Sequence, residues 1–325
     1  MTFKQHTIGQ LVWPIFIFVS LIFSGCATDP SIQSLHQVLD PGIPQKVELT
    51  RVPFYEQELF QCGPASLAMI LNHRNKPVSA EELRPLIYIP DRGGTLQSEI
   101  RSVVRQYGVM TLQLQNGLEG LIEEIAAGNP VLVMQNLGLK YLPQWHYAVV
   151  IGYDLNAKEL ILRSGRNERH INQFRVFMNT WNRSNQWGVI IPSRESLPQN
   201  SDFEDFITQA SALEKNSQRD SLPYYKLGTE RWSQESLVWF GLGNGYYYNH
   251  QIEQAEQAFR KAIALEPTAS WNWNNLAHVL KERGCINNST MAQACADKLE
   301  KNTQTDLEKH QSEIGICKPL PLCPE

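Results

Sequence analysis

What the chain lacks narrows it first. It has no large charge excess of either sign, 29 basic against 33 acidic residues for a formal net charge of -4, so the electrostatic footprint of a nucleic-acid binder is missing. Charged residues make up 19% and hydrophobic ones 42%, which excludes a disordered chain and supports a packed core. Long apolar runs are absent too. The stretch from Leu11 to Phe23 is thirteen residues, interrupted by Pro14 and Ser20, and at ~1.5 Å per residue it falls short of a ~30 Å hydrocarbon core. Cysteine is scarce, six in 325 residues, four of them (Cys285, Cys295, Cys317 and Cys323) in the last 41. None of those four pairs at the two-to-four-residue gap that structural zinc ligands favour. Neither a metal nor an organic cofactor is expected.

What is present begins with that short apolar run. It follows Lys4, ends in Ser24 and Gly25, and precedes Cys26, the layout of a secretory leader that is cleaved. Phe23-Ser24-Gly25-Cys26 resembles a bacterial lipobox, although Phe23 stands where Leu is usual. The resemblance implies lipidation of Cys26, and Ala27 in place of Asp implies the outer membrane, periplasmic face. Several acyl chains at ~0.8 kcal/mol per buried CH₂ would hold such a protein to a bilayer surface. Export makes disulfides the expected state of the four C-terminal cysteines, with zinc as the alternative. Cys285 to Cys295 plus Cys317 to Cys323 is the most local of three pairings, and Cys62 is left as the odd thiol.

At 325 residues the chain is long enough for two domains. We divide it into a leader at 1–25, a tether at 26–50, an α+β domain at 51–195, a helical domain at 196–302 and a Cys-containing tail at 303–325. Within the α+β part, helices are expected first. One starts at the Cys62-Gly63-Pro64 step and runs to His73, one opens with a capping box of Ser79 and Glu82, one is capped by Thr95 and ends at Gly108, and one spans Gly117 to Gly128. The period then changes to two, predicting strands at Pro130–Asn136, Gln144–Asp154, Glu159–Ser164 and Trp187–Ile191, the second and third forming a hairpin about Asn156. Helices followed by an antiparallel sheet make an α+β domain. Further on, Trp239, Leu242, Gly243, Tyr246, Ala255, Phe259, Ala262 and Pro267 fall at the offsets of the ~34-residue tetratricopeptide pattern. A second unit starts with Trp273, Leu276, Ala277 and Gly284, and a degenerate helical pair is expected over 201–230, because one repeat cannot bury its own face. Such repeats are expected to recruit a protein partner.

Chemistry is concentrated at two places. Cys62 opens a helix, where exposed N–H groups favour a thiolate, and His146 lies on a strand far along the chain, able to serve as its base if the fold brings the two together. Taken alone, each also reads as an inert buried side chain. The series Gln57, Cys62-Gly63-Pro64-Ala65 and His146-Tyr147-x-Val149-Val150-x-Gly152-Tyr153-Asp154 resembles the papain-like double-glycine, or bacteriocin-leader-processing, cysteine peptidases over roughly residues 51 to 192. The resemblance implies Cys62 as nucleophile, His146 as general base, Gln57 as an oxyanion-hole donor with Gln61 as a less apt substitute, and a peptide or protein substrate. The double-glycine specificity does not carry over, since no transporter segment or Walker motif follows.

The chain departs from that family at the third member, an aspartate on the next strand, where this sequence has Ser164. Asp154 does not serve, since eight residues at ~3.3 Å separate it from His146 by about 26 Å. Folding the hairpin about Asn156 sets Arg166 opposite His146 and makes Ser164 a diagonal neighbour at ~7 to 8 Å between α-carbons. Ser164 is therefore expected to accept a hydrogen bond from the ring, with Asn167 as the alternative by analogy with Cys-His-Asn enzymes. A neutral orienter leaves two readings open: a slow cysteine peptidase, or a non-catalytic scaffold with a degenerate peptidase domain.

Overall fold

The computed structural model describes Ile32, Leu35, residues 37–57, 61–305 and Leu320. The leader, Cys26, Cys317 and Cys323 lie outside these residues, and with them the expectations of cleavage, lipidation and the Cys317 to Cys323 pairing. No helix among the described residues is long and apolar enough to cross a membrane.

The first half is an antiparallel sheet clad by helices on both faces. Its strands are β1 (Lys46–Glu48), β4 (Leu112–Gln113), β5 (Val131–Asn136), β6 (Trp145–Asp154), β7 (Glu159–Ser164), β8 (Asn167–Gln173) and β9 (Gly188–Ile190). Their order is β4-β9-β5-β6-β7-β8, with β1 added against β6. A separate pair, β2 (Tyr88–Ile89) and β3 (Gly94–Thr95), flanks it. Strand β6 shows why both faces are covered. Its residues alternate between two cores, Ala148 and Val150 facing one and Tyr147, Val149 and Ile151 the other, as a period of two dictates.

Helices α1 (Cys62–His73), α2 (Ala80–Ile87) and α3 (Gln97–Gln106) cover the second face, and α4 (Gly117–Ala126) and α5 (Phe174–Trp181) the first. Helix α1 buries nine of its residues, from Gly63 to Leu71. Its start depends on a close approach, since a Cβ on Gly63 would stand 2.5 Å from Thr95 Oγ1. Ser79 and Glu82 form the capping box that opens α2. Thr95 does not cap α3, however: the N-cap is Leu96, without a side-chain bond, and Thr95 Oγ1 is buried with no partner. Thr95 is already committed to β3 and to packing against Gly63.

Two sequence expectations need adjusting. The tether at 26–50 is not free throughout, because Ile32, Leu35 and Leu39 are buried in the first core and β1 pairs with β6, Lys46 opposite Asp154. Their three-to-four spacing is an amphipathic signal that the polar composition hides. The hairpin register is reached by a different route. Near the turn Asp154 pairs with Glu159, one residue out from a fold about Asn156, and a bulge between Val150 and Gly152 restores Val149 opposite Arg163. The two offsets cancel before the strand reaches His146.

The described residues of the second half form six helices, α6 (Phe203–Asn216), α7 (Gln218–Arg231), α8 (Ser236–Tyr248), α9 (Ile252–Leu265), α10 (Ser270–Glu282) and α11 (Ile286–Thr305). Small residues permit their contacts, a Cβ on Gly243 standing 2.6 Å from the Phe259 ring. The halves share a core in which Met110 and Leu112 join Phe206, Ala210 and Tyr225. At the first turn of α6, Asp205 accepts from the backbone N–H of Gln113 at 2.6 Å and from Arg101 at 3.3 Å.

Candidate active site

The N-terminus of α1, the start of β6 and the β7–β8 turn converge on one cavity of about 1260 Å³. Gln57, Cys62, His146 and Tyr147 line it, with Gly93 to Ser98 on one wall and Pro143 to Trp145, Gly165 and Arg166 on the other. The two residues singled out for nucleophile and base, separated by 84 positions in sequence, thus face a single space. The hairpin explains the placement of the third. His146 Nε2 and Ser164 Oγ are 2.8 Å apart, while Asn167, across from Ser164 in the β7–β8 ladder, is exposed. With Nε2 engaged there, any proton exchange at the ring falls to Nδ1. Asp154 belongs to the turn, where it pairs with Lys46 at 3.1 Å.

Electrostatics at this site differ from a preformed ion pair. Burial raises the Cys62 thiol above its ordinary value, against lowering contributions from the backbone N–H groups of Tyr147, Gly63 and Cys62 itself. Burial also pushes His146 down to about 4, with the nearby His170 adding to the shift. Both directions favour neutral thiol and neutral imidazole. The thiolate favoured at a helix start is thus opposed here by burial. The physical reason is desolvation of both groups, and the Ser164 hydroxyl that meets the ring carries no negative charge to oppose it.

Gln57 is buried, 6% exposed. Its side-chain Oε1 accepts from Gly165 N–H at 3.0 Å, and its Nε2 donates to Ser66 Oγ at 3.0 Å. Its backbone N–H donates to the Gly165 carbonyl at 3.1 Å. Gln61 occupies the N-cap position of α1, and it is Gln57 that lines the cavity.

Several supporting residues escaped the sequence reading. Tyr147 O–H donates to the Thr95 carbonyl at 3.1 Å, tying β6 to β3. Gly165, at φ 59°, holds Gln57 while its neighbour Ser164 holds His146, so one tight turn supports both sides of the site. Ser66 carried the one available signal, a polar residue within the buried run Gly63 to Leu71, one turn after Cys62. Among the described residues no group of three or more His, Cys, Asp or Glu is placed to hold a metal ion.

Residues 49–189 match the family described as Peptidase_C39 like family, and residues 236–269 match the tetratricopeptide repeat. A solved structure described as a C39-like peptidase from Bacillus anthracis is similar at 20% identity and a TM-score of 0.41, covering 46% of this chain and 98% of that one. No curated protein matches. The chain thus carries a C39-like peptidase domain, followed by a helical region with a tetratricopeptide repeat.

Proposed function

We propose that the chain is a cysteine peptidase that cleaves a peptide bond through a thioester on Cys62. The observation that carries this reading is that Cys62, His146 and Gln57 line one cavity and that the His146 ring is oriented at 2.8 Å by Ser164. From the neutral resting pair, His146 Nδ1 takes the thiol proton as sulfur attacks the substrate carbonyl. The developing oxyanion is held by Gln57 Nε2–H and the Cys62 N–H, each such donor being worth on the order of 10² to 10³ in rate. The imidazolium then protonates the leaving amine. Water, losing a proton to His146, hydrolyses the thioester and restores the thiol.

The second reading is a non-catalytic scaffold, favoured by the same neutral pair and by the absence of a carboxylate behind His146. A thiol-reactive peptidyl probe separates the two. Cys62-dependent labelling, lost in Cys62→Ala, is expected of the enzyme, and equal labelling of both proteins would sink that reading.

Around this activity we propose an exported, lipid-anchored protein, resting on the Phe23-Ser24-Gly25-Cys26 run. A disulfide between Cys285 and Cys295, with Cys62 free, would fit an oxidising compartment. The repeats would recruit a protein partner or substrate. Mapping new N-termini in periplasmic extract treated with wild type or Cys62→Ala would identify the substrate.

A further inference from the structure

We infer that Ser66 is a positioning residue that fixes which end of the Gln57 amide faces the cavity, an inference that rests on the catalytic reading above. Ser66 sits one turn along α1 from Cys62 and is fully buried. Its hydroxyl donates to the Tyr147 carbonyl at 3.2 Å. A hydroxyl has one proton, and a carbonyl is an acceptor only, so that proton is committed and the Ser66 oxygen is left to accept. The Gln57 group 3.0 Å away must then be the NH₂ end. At the other side of the same amide, the Gly165 N–H is a donor only, and it meets Oε1 at 3.0 Å. Two independent partners therefore select the same orientation of a side chain whose two ends have nearly the same shape.

The orientation matters because the ends have opposite polarity. An amide nitrogen carries two hydrogens, and Ser66 takes one. The second is left for the cavity that Gln57 and Cys62 line, as an oxyanion donor. With the amide reversed, a carbonyl oxygen would meet the developing negative charge. Ser66 reaches no substrate itself and acts through Gln57.

The test uses two probes of Cys62. Alkylation by iodoacetamide passes through no tetrahedral oxyanion, whereas acylation by p-nitrophenyl acetate does. In the full chain, Ser66→Ala is expected to lower the acylation rate about tenfold or more while alkylation stays within about twofold of wild type. Gln57→Ala is expected to lower acylation at least as far, and the double variant no further than Gln57→Ala alone, because Ser66 acts through Gln57. Acylation of Ser66→Ala at the wild-type rate would overturn the inference and leave the peptidase reading intact. A parallel fall in both probes would overturn it too, by assigning Ser66 a purely structural role. Absence of Cys62-dependent acylation in the wild type would overturn the catalytic reading and this inference with it.

Discussion

His146 and Ser164 meet at 2.8 Å, ring nitrogen to hydroxyl oxygen, at the open end of a hairpin whose turn and bulge carry opposite register offsets. The contact orients the imidazole while burial disfavours its charged form, and the pH behaviour of the site follows from both.

Ser164→Asp should restore the missing charge. A carboxylate beside the ring favours imidazolium, raising His146 from about 4 and with it the thiolate fraction of Cys62. The rate of iodoacetamide alkylation near pH 7 should rise several-fold. Its pH midpoint should fall from the wild-type position, which lies above that of a free thiol because burial raises Cys62. An unchanged profile would remove His146 from any role in ionising the sulfur. Ser164→Ala should instead cost about tenfold in acylation by losing the ring's orientation.

Stability should depend on pH through the same histidine. With the folded value lowered from 6.5 to about 4, the unfolded chain binds the proton first, so the neutral ring's contribution is present above about pH 6.5 and is lost as pH falls towards 4. The shift corresponds to about 3 kcal/mol. Thermal unfolding of wild type and His146→Gln across that window should show a shallower loss in the variant. Parallel curves would contradict the depressed value.

Gly165→Ala should damage both halves of the site. Its φ of 59° is costly for a residue with a Cβ, ~1 to 2 kcal/mol, although nothing lies within 4 Å of the added carbon. The cost is conformational, and relieving it moves the N–H and C=O that hold Gln57. We expect a urea midpoint lower by an amount equivalent to about 1 kcal/mol, together with slower acylation of Cys62.

In the helical half, Gly243→Ala tests the packing reading. The added carbon would stand 2.6 Å from the Phe259 ring, tighter than any ordinary contact. Overpacking of this kind typically costs about 1 to 3 kcal/mol, read in thermal unfolding, and a compensating Phe259→Leu should recover part of it.

Local chemistry was readable wherever it followed a period. The capping box at Ser79, the alternation of β6 and the repeat offsets from Trp239 to Pro267 are all local patterns, and the helices and strands appear within a residue or two of where those patterns put them. Strand β8, Asn167-Glu-Arg-His-Ile-Asn-Gln173, was not anticipated because it is polar and joins the sheet through backbone pairing, which leaves little trace in side-chain type. Helix α5 was overlooked despite its buried Phe174, Phe177 and Trp181, a three-to-four spacing that the sequence does display.

By itself, the sequence determined the residue types a peptidase site needs and the spacing that puts Cys62 at a helix start and His146 on a strand, since these depend on neighbours a few positions away. Only the tertiary structure decided the burial that shifts their protonation. Desolvation depends on everything packed around a group from distant parts of the chain, and no spacing encodes it. The Gln57 amide belongs to the same class: its polarity is set by Ser66, Tyr147 and Gly165, which meet only once the sheet has closed over α1.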